Sequence, residues 1–189
     1  DTSYAYKAGG RQNGLNTGRL DSIERTSISS GGNATDVGNM TEQTNRPSGG
    51  ASAYNFYMMG GESNHASLWY TTFITKLNFS SQGNATSVGD LVNGSFDGAS
   101  NTSSTHQYIA GGQTVALSLT NMIQRMSFAS EGDAVDTGQD MLGTGSRYFL
   151  AFPSSATHGY TMGGYRSPAA WYTDAIQKYQ FDTSNNMTI

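Results

Sequence analysis

The chain repeats one phrase about every fifty residues. Tyr-x-x-Gly-Gly stands at Tyr6–Gly10, Tyr57–Gly61, Tyr108–Gly112 and Tyr160–Gly164, and its glycine pairs are 51, 51 and 52 residues apart. A fixed period of this length constrains the fold strongly. Each repeat is one supersecondary unit that buries its apolar surface against the next.

More of each unit recurs than the glycines. Ile-x-(Arg/Lys) follows each pair, at Ile23, Ile74, Ile123 and Ile176, with Arg25, Lys76, Arg125 and Lys178 two residues on. Ile28, Phe79, Phe128 and Phe181 come next. Then Gly-(Asn/Asp)-Ala-x-x-x-Gly runs over Gly32–Gly38, Gly83–Gly89 and Gly132–Gly138. A run of small residues leads into the next phrase, at Ser48–Ala53, Ser100–Thr105 and Ser154–Thr157.

Read as physics, one unit is four short strands. The first ends at the glycine pair, the second carries the isoleucine, the third carries Val37-Gly38, Val88-Gly89 or Thr137-Gly138, and the fourth is the small-residue run. On the second strand, alternation puts Ile74 and Lys76 on one face and Leu77 and Phe79 on the other. Apolar groups on both faces suit a strand sandwiched between neighbouring units. Gly83-Asn84 and its equivalents read as the hairpin between second and third strands, with Asn or Asp bonding its own backbone.

Composition agrees with an all-β, turn-rich chain. Of 189 residues, 24 are glycine and 13% are charged. Helical periodicity is absent. The period and its glycine pair give the fold expectation: an all-β β-propeller of about four Kelch-like blades of about 51 residues, standing alone or as part of a larger propeller. The chain reads as a single domain over 1–189, with units at about 1–53, 54–104, 105–156 and 157–189, the last incomplete. The first unit lacks its innermost strand and the last its outermost. Three arrangements stay open: a piece of a propeller of about six or seven blades, a four-bladed ring, or a stack or fibre in which partners supply strands. Asp1 in place of methionine, with no signal-peptide pattern, reads as a processed chain or a segment of a longer one.

The net charge of −4, with no Lys/Arg run, argues against nucleic acid. No apolar run is long enough for membrane insertion as a helix. With no cysteine there is neither a disulfide framework nor a thiolate metal site, and a Gly-x-Ser-x-Gly elbow is also missing. No enzyme, cofactor or metal is therefore expected. His106 and His158 share a repeat position, but Tyr4 and Asn55 replace them in the other units, so a ligand set is not assembled. Asp36, Asp90, Asp133, Asp136 and Asp140 read as turn chemistry. The repeated basic residues read as scaffold, pairing with carboxylates or carbonyls.

Binding is expected on the segments between each glycine pair and the following isoleucine, which vary in sequence and length. Two carry a matched aromatic pair, Trp69-Tyr70 and Trp171-Tyr172. These are the candidate ligand-binding residues, since exposed aromatics stack on the apolar faces of sugars; packing between units is the competing reading.

Two phrases, Ile74–Leu91 and Ser154–Gly164, resemble the Kelch-like repeat proteins of marine bacteriophages, cyanophages among them. The resemblance covers nearly the whole chain. It implies a virion structural or appendage protein, located on the particle surface, whose partners are other virion proteins, copies of itself or host-surface glycans. Attachment is the role it implies; pure decoration or assembly, completed by strands from another chain, is the alternative. The tryptophan usual in eukaryotic Kelch repeats is replaced by the Asn-Ala-Thr turn, which weakens any likeness to their adaptor or actin-binding roles.

Overall fold

The computed structural model describes residues 3–12, 18–63, 70–114, 119–141, 147–148, 151–166 and 171–181. Among them there is no helix, and so none long and apolar enough to cross a membrane. The described residues form several small antiparallel sheets and no closed barrel.

The first sheet has β1 (Tyr4–Arg11), β2 (Arg19–Ser27) and β3 (Gly31–Asn39) in that order. Thr44–Asn45 (β4) stands apart and pairs later with Glu62–Ser63 (β7). The second main sheet runs β5 (Ser48–Ala51), β6 (Asn55–Met59), β8 (Phe73–Asn78), β9 (Thr86–Asp90). The third runs β10 (Ala99–Thr102), β11 (His106–Ala110), β12 (Met122–Ser127), β13 (Val135–Asp140). A short sheet joins β14 (Arg147–Tyr148), β16 (Tyr165–Arg166) and β17 (Trp171–Tyr172). The fourth repeat pairs β15 (His158–Met162) with β18 (Ile176–Gln180), and Ala151 and Ser154 bridge to Met162 and Gly159.

The core lies between successive sheets. Ile23 and Met40 of the first repeat meet Met58, Leu77 and Ala85 of the second. Tyr57, Met59, Ile74 and Leu91 of the second meet Ile109, Met126 and Ala134 of the third. Tyr108, Ala110, Ile123 and Met141 of the third meet Phe152, Tyr179 and Phe181. Strand β8 thus buries Ile74 in one layer and Leu77 in the other, the two-faced burial that its sequence requires. Ile28, on the face of the first sheet away from the second, is 62% exposed.

The phrase tyrosine and the basic residue of a unit reach forward to the next. The phrase tyrosines pack on the next unit's phenylalanine: Tyr57 stacks on Phe128 at 5.2 Å and Tyr108 on Phe181 at 4.9 Å, while Tyr6 meets Phe79 tilted at 4.9 Å. Lys76 donates to both oxygens of Glu131 at 2.8 Å. Arg25 meets Gln82, at the repeat position of Glu131, once the Gln82 amide is turned to present its oxygen.

The Gly-Asn-Ala turn does more than close a hairpin. Register shifts at Ile23/Glu24 and Ile74/Thr75 make Val37 and Val88 the extra residues of β-bulges. Their carbonyls accept from the next unit's turn: Gly83 N–H to Val37 O at 2.8 Å and Gly132 N–H to Val88 O at 2.9 Å. The turn side chain also bonds forward-to-back. Asn84 Oδ1 accepts from Asn39 N–H at 3.1 Å, and Asp133 Oδ1 from Asp90 N–H at 3.0 Å. The expected bond of that side chain to its own backbone is replaced by a bond between sheets. Glycine at position 89 is a steric necessity here, because a Cβ would run into the Gly132 carbonyl.

Candidate functional site

The variable segments bring two neighbouring units together at a cleft of about 330 Å³. One wall is Tyr70 and Thr72, just before β8, with Val92, Asn93 and Gly94 just after β9. The other is Thr114, Leu119 and Thr120, before β12. Tyr70 and Leu119 hold the same repeat position, four residues before Ile74 and Ile123.

The cleft is built by backbone and buried polar groups. The glycine pair makes its sharp turn with Gly60 at φ +61° and Gly61 at +109°. That turn lets Gly61 N–H reach Ser95 O and Gly61 O accept from Thr71 N–H, both at 2.8 Å. Tyr70 and the 92–95 segment are thereby tied to one point. The Tyr70 ring lies over Gly94, where any Cβ would collide with it. Gln124, buried in the next sheet, grips the same loop: its Oε1 accepts from Asn93 N–H at 3.0 Å and its Nε2 donates to Asn93 O at 3.1 Å. Thr72 Oγ1 donates to Asp90 Oδ1 at 2.6 Å.

None of the described lining residues is charged. The walls offer one aromatic ring, two branched apolar side chains, three threonine hydroxyls and one amide. That mixture can bind a neutral, hydroxyl-rich ligand by ring stacking and hydrogen bonds.

Of the expected binding residues, Tyr70 lines this cleft, half-buried. Tyr172 is elsewhere: it is 83% exposed and meets Tyr165 edge-on at 5.5 Å. Trp171 pairs through its backbone with Arg166. Trp69 lies outside the described residues, as does His65. Tyr70 and Tyr172 are therefore not brought to one place.

A polar network at the glycine-pair end carried no sequence signal. Arg19 takes the repeat position of Tyr70 but is buried, and its Nη2 donates to Glu62 Oε1 at 2.5 Å. Asn45 Nδ2 donates to Glu62 Oε2 at 3.0 Å. Arg46 Nη1 donates to Asp97 Oδ2 at 2.6 Å, with Gln113 Nε2 at 3.4 Å from the same oxygen. Burial alone would raise the Glu62 pKa, but the Asn45 and Arg19 donors outweigh it and hold the carboxyl below its ordinary value. At Asp97 burial wins over Arg46, and the pKa rises. Arg46 and Asp97 are equivalent residues of successive units, as are Glu62 and Gln113, so only their spacing of 51 residues could have pointed to the network.

The histidines are held locally. His106 Nδ1 lies 2.8 Å from Thr105 Oγ1 and His158 Nδ1 2.8 Å from Thr157 Oγ1. Among the described residues no three His, Cys, Asp or Glu side chains cluster as a metal site. The turn acids serve backbone: Asp36 and Asp136 accept from Gly38 and Gly138 N–H, each at 2.9 Å.

No protein-family model matches the chain, and no curated protein resembles it in sequence. In fold the chain is similar to a solved structure described as "Structure of YjhT", with a TM-score of 0.74 at 10% identity. The likeness covers 100% of this chain and 64% of that one, so this chain spans about 64% of its length. At that identity the likeness concerns the fold alone.

Proposed function

We propose that this chain is a non-enzymatic attachment module: a propeller-type array of four Kelch-like units, displayed on a virion appendage, that offers the Tyr70 cleft to host-surface glycans. The observation that carries this reading is the cleft itself, a hollow whose described lining is uncharged, with an aromatic wall and a rim of hydroxyl and amide groups. Sugars present this complement, an apolar ring face edged by hydroxyls.

The propeller element of the reading is supported by the period, by the face-to-face layers between successive sheets and by the small-residue strands that recur at the same edge. The non-enzymatic element is supported by the engagement of Glu62 and Asp97, whose oxygens are taken by arginine and amide donors. The virion setting rests on the phage-like phrases at Ile74–Leu91 and Ser154–Gly164.

The test is a glycan array probed with the wild type, Tyr70→Ala and Tyr70→Phe. The expected result is saturable binding that falls about tenfold or more in Tyr70→Ala, a loss of about 1.4 kcal/mol, and persists in Tyr70→Phe. Binding indifferent to Tyr70, or no binding to any glycan, overturns the reading.

A further inference from the structure

We propose that Asn93 is a self-modification site: its side-chain amide is lost through a ring closed by the Gly94 nitrogen, and the product puts a carboxylate into the wall of the Tyr70 cleft. The consequence for a ligand rests on the glycan reading of that cleft. The modification itself does not.

The chemistry asks three things of a chain: an accessible asparagine side chain, a following residue that does not crowd it, and a peptide nitrogen free to attack. Asn93-Gly94 supplies all three, and both residues line the cleft. Asn93 is exposed. Among the described residues its Nδ2 is held only by the Met122 sulfur, a weak acceptor at 3.8 Å. Gly94 carries no Cβ to stand in the way of ring closure. Its N–H has no hydrogen-bond partner among the described residues, although the residue is buried. A buried, unpaired peptide donor is costly, and ring closure removes it.

Gln124 prepares the same peptide bond. Its Nε2 donates to the Asn93 carbonyl at 3.1 Å, and its Oε1 accepts from the Asn93 N–H at 3.0 Å. The attacking species is the Gly94 nitrogen after water or hydroxide has taken its proton. That negative charge is shared with the Asn93 carbonyl oxygen, where the Gln124 donor stabilises it. The nitrogen adds to Asn93 Cγ and a new N–Cγ bond forms. The Cγ–Nδ2 bond breaks, and Nδ2 takes a proton from water and leaves as ammonia. Water then opens the cyclic imide at one of its two carbonyls. Breaking the new bond to Cγ gives aspartate; breaking the former Asn93–Gly94 peptide bond gives isoaspartate. The balance is one water consumed and one ammonia released, and either product carries a carboxylate.

The repeat already accepts an acid at this place. Glu42 holds the position of Asn93 in the first unit, half-buried. In the second unit the acid would arise with age, changing a cleft whose described lining is otherwise uncharged.

The experiment incubates the folded chain at mildly alkaline pH beside a synthetic peptide of residues 90–97. Both are followed by mass spectrometry with fragmentation, which separates Asn93 from the other Asn-Gly pair, Asn13-Gly14. The expected result is a gain of a single mass unit at Asn93 of the folded chain within the time the peptide takes to convert. Asn93→Gln, whose longer side chain disfavours this ring, is expected to stay unmodified at that position. A folded chain still unmodified at Asn93 when the peptide has converted overturns the proposal. Gln124→Met is expected to slow the reaction about tenfold, the effect of losing one hydrogen bond to a charged group. A grip that merely restrained the loop would give the opposite sign, so an unchanged or faster rate overturns the role assigned to Gln124. The wild-type comparison with the peptide decides the proposal even where Gln124→Met does not fold. A glycan array is not needed for any of these readouts, so failure here is distinct from failure of the glycan reading.

Discussion

Tyr57 stacks on Phe128 of the next repeat, rings 5.2 Å apart and 24° from parallel, while its hydroxyl donates to Glu131 at 3.0 Å. The same carboxylate receives Lys76. Two paired strands of one sheet, β6 and β8, are thus joined to the turn of the next by a ring stack, a phenol hydrogen bond and an ion pair. Cohesion between units is carried by the residues that make the repeat recognisable.

Alkaline pH should weaken this joint. Burial first, and then the hydrogen bond and charge of Glu131, push the Tyr57 pKa from 10.0 up to about 12. A raised folded-state pKa means that the unfolded chain ionises first. The stabilising contribution is therefore complete below pH 10 and is lost as pH rises toward 12. Thermal melts across that window should show a falling midpoint for the wild type and a shallower fall for Tyr57→Phe. Parallel curves would place the alkaline loss elsewhere.

Gly89→Ala should destabilise the chain although its φ is not in the left-handed region. The added Cβ meets the Gly132 carbonyl, a backbone atom held by the Val88 bulge, so relief requires two sheets to separate. A cost of about 1–3 kcal/mol is expected, read as a lower denaturant midpoint at unchanged slope. An unchanged midpoint would show that the junction yields freely.

Glu62→Ala should be among the most damaging single changes. It removes the carboxylate facing Arg19, whose side chain is only 4% exposed, and also strands the Asn45 amide. Removing one partner of a buried ion pair costs about 3–5 kcal/mol. Replacing Arg19 and Glu62 together by methionine should cost much less. Chemical denaturation of the wild type and the two variants compares the two outcomes.

The sequence displays its architecture through identity at fixed intervals. The tyrosine, isoleucine, phenylalanine and turn glycine recur, and wherever one sheet packs on the next they occupy the junction. The Tyr70 cleft was partly legible, because an aromatic on a variable segment stands out. Its partners Asn93, Thr114 and Leu119 did not, since polar and small residues are common throughout this chain. The Arg19–Glu62 and Arg46–Asp97 pairs were hidden for a different reason. Each links residues that differ from their repeat equivalents, so a search for sameness passes over them. The Asn84 bond to Asn39 was misread because a local Asx turn and a bond between sheets demand the same residue.

Gly50 and Gln107 should show a strong energetic coupling. Gly50→Ala alone places a methyl against a buried amide and should cost about 1–3 kcal/mol. Gln107→Ala alone trades two effects: it opens space, and it removes a fully buried amide that no described group hydrogen-bonds. In the double variant the new methyl enters the vacated space, so the penalty should largely disappear. The coupling expected from a double-mutant cycle is about 0.5–3 kcal/mol in the favourable direction. Strict additivity would mean that the inner strand and the neighbouring sheet adjust independently. The Asn101 amide beside Gly159 of the next unit, the same contact with large and small exchanged, would then not be a rule of packing.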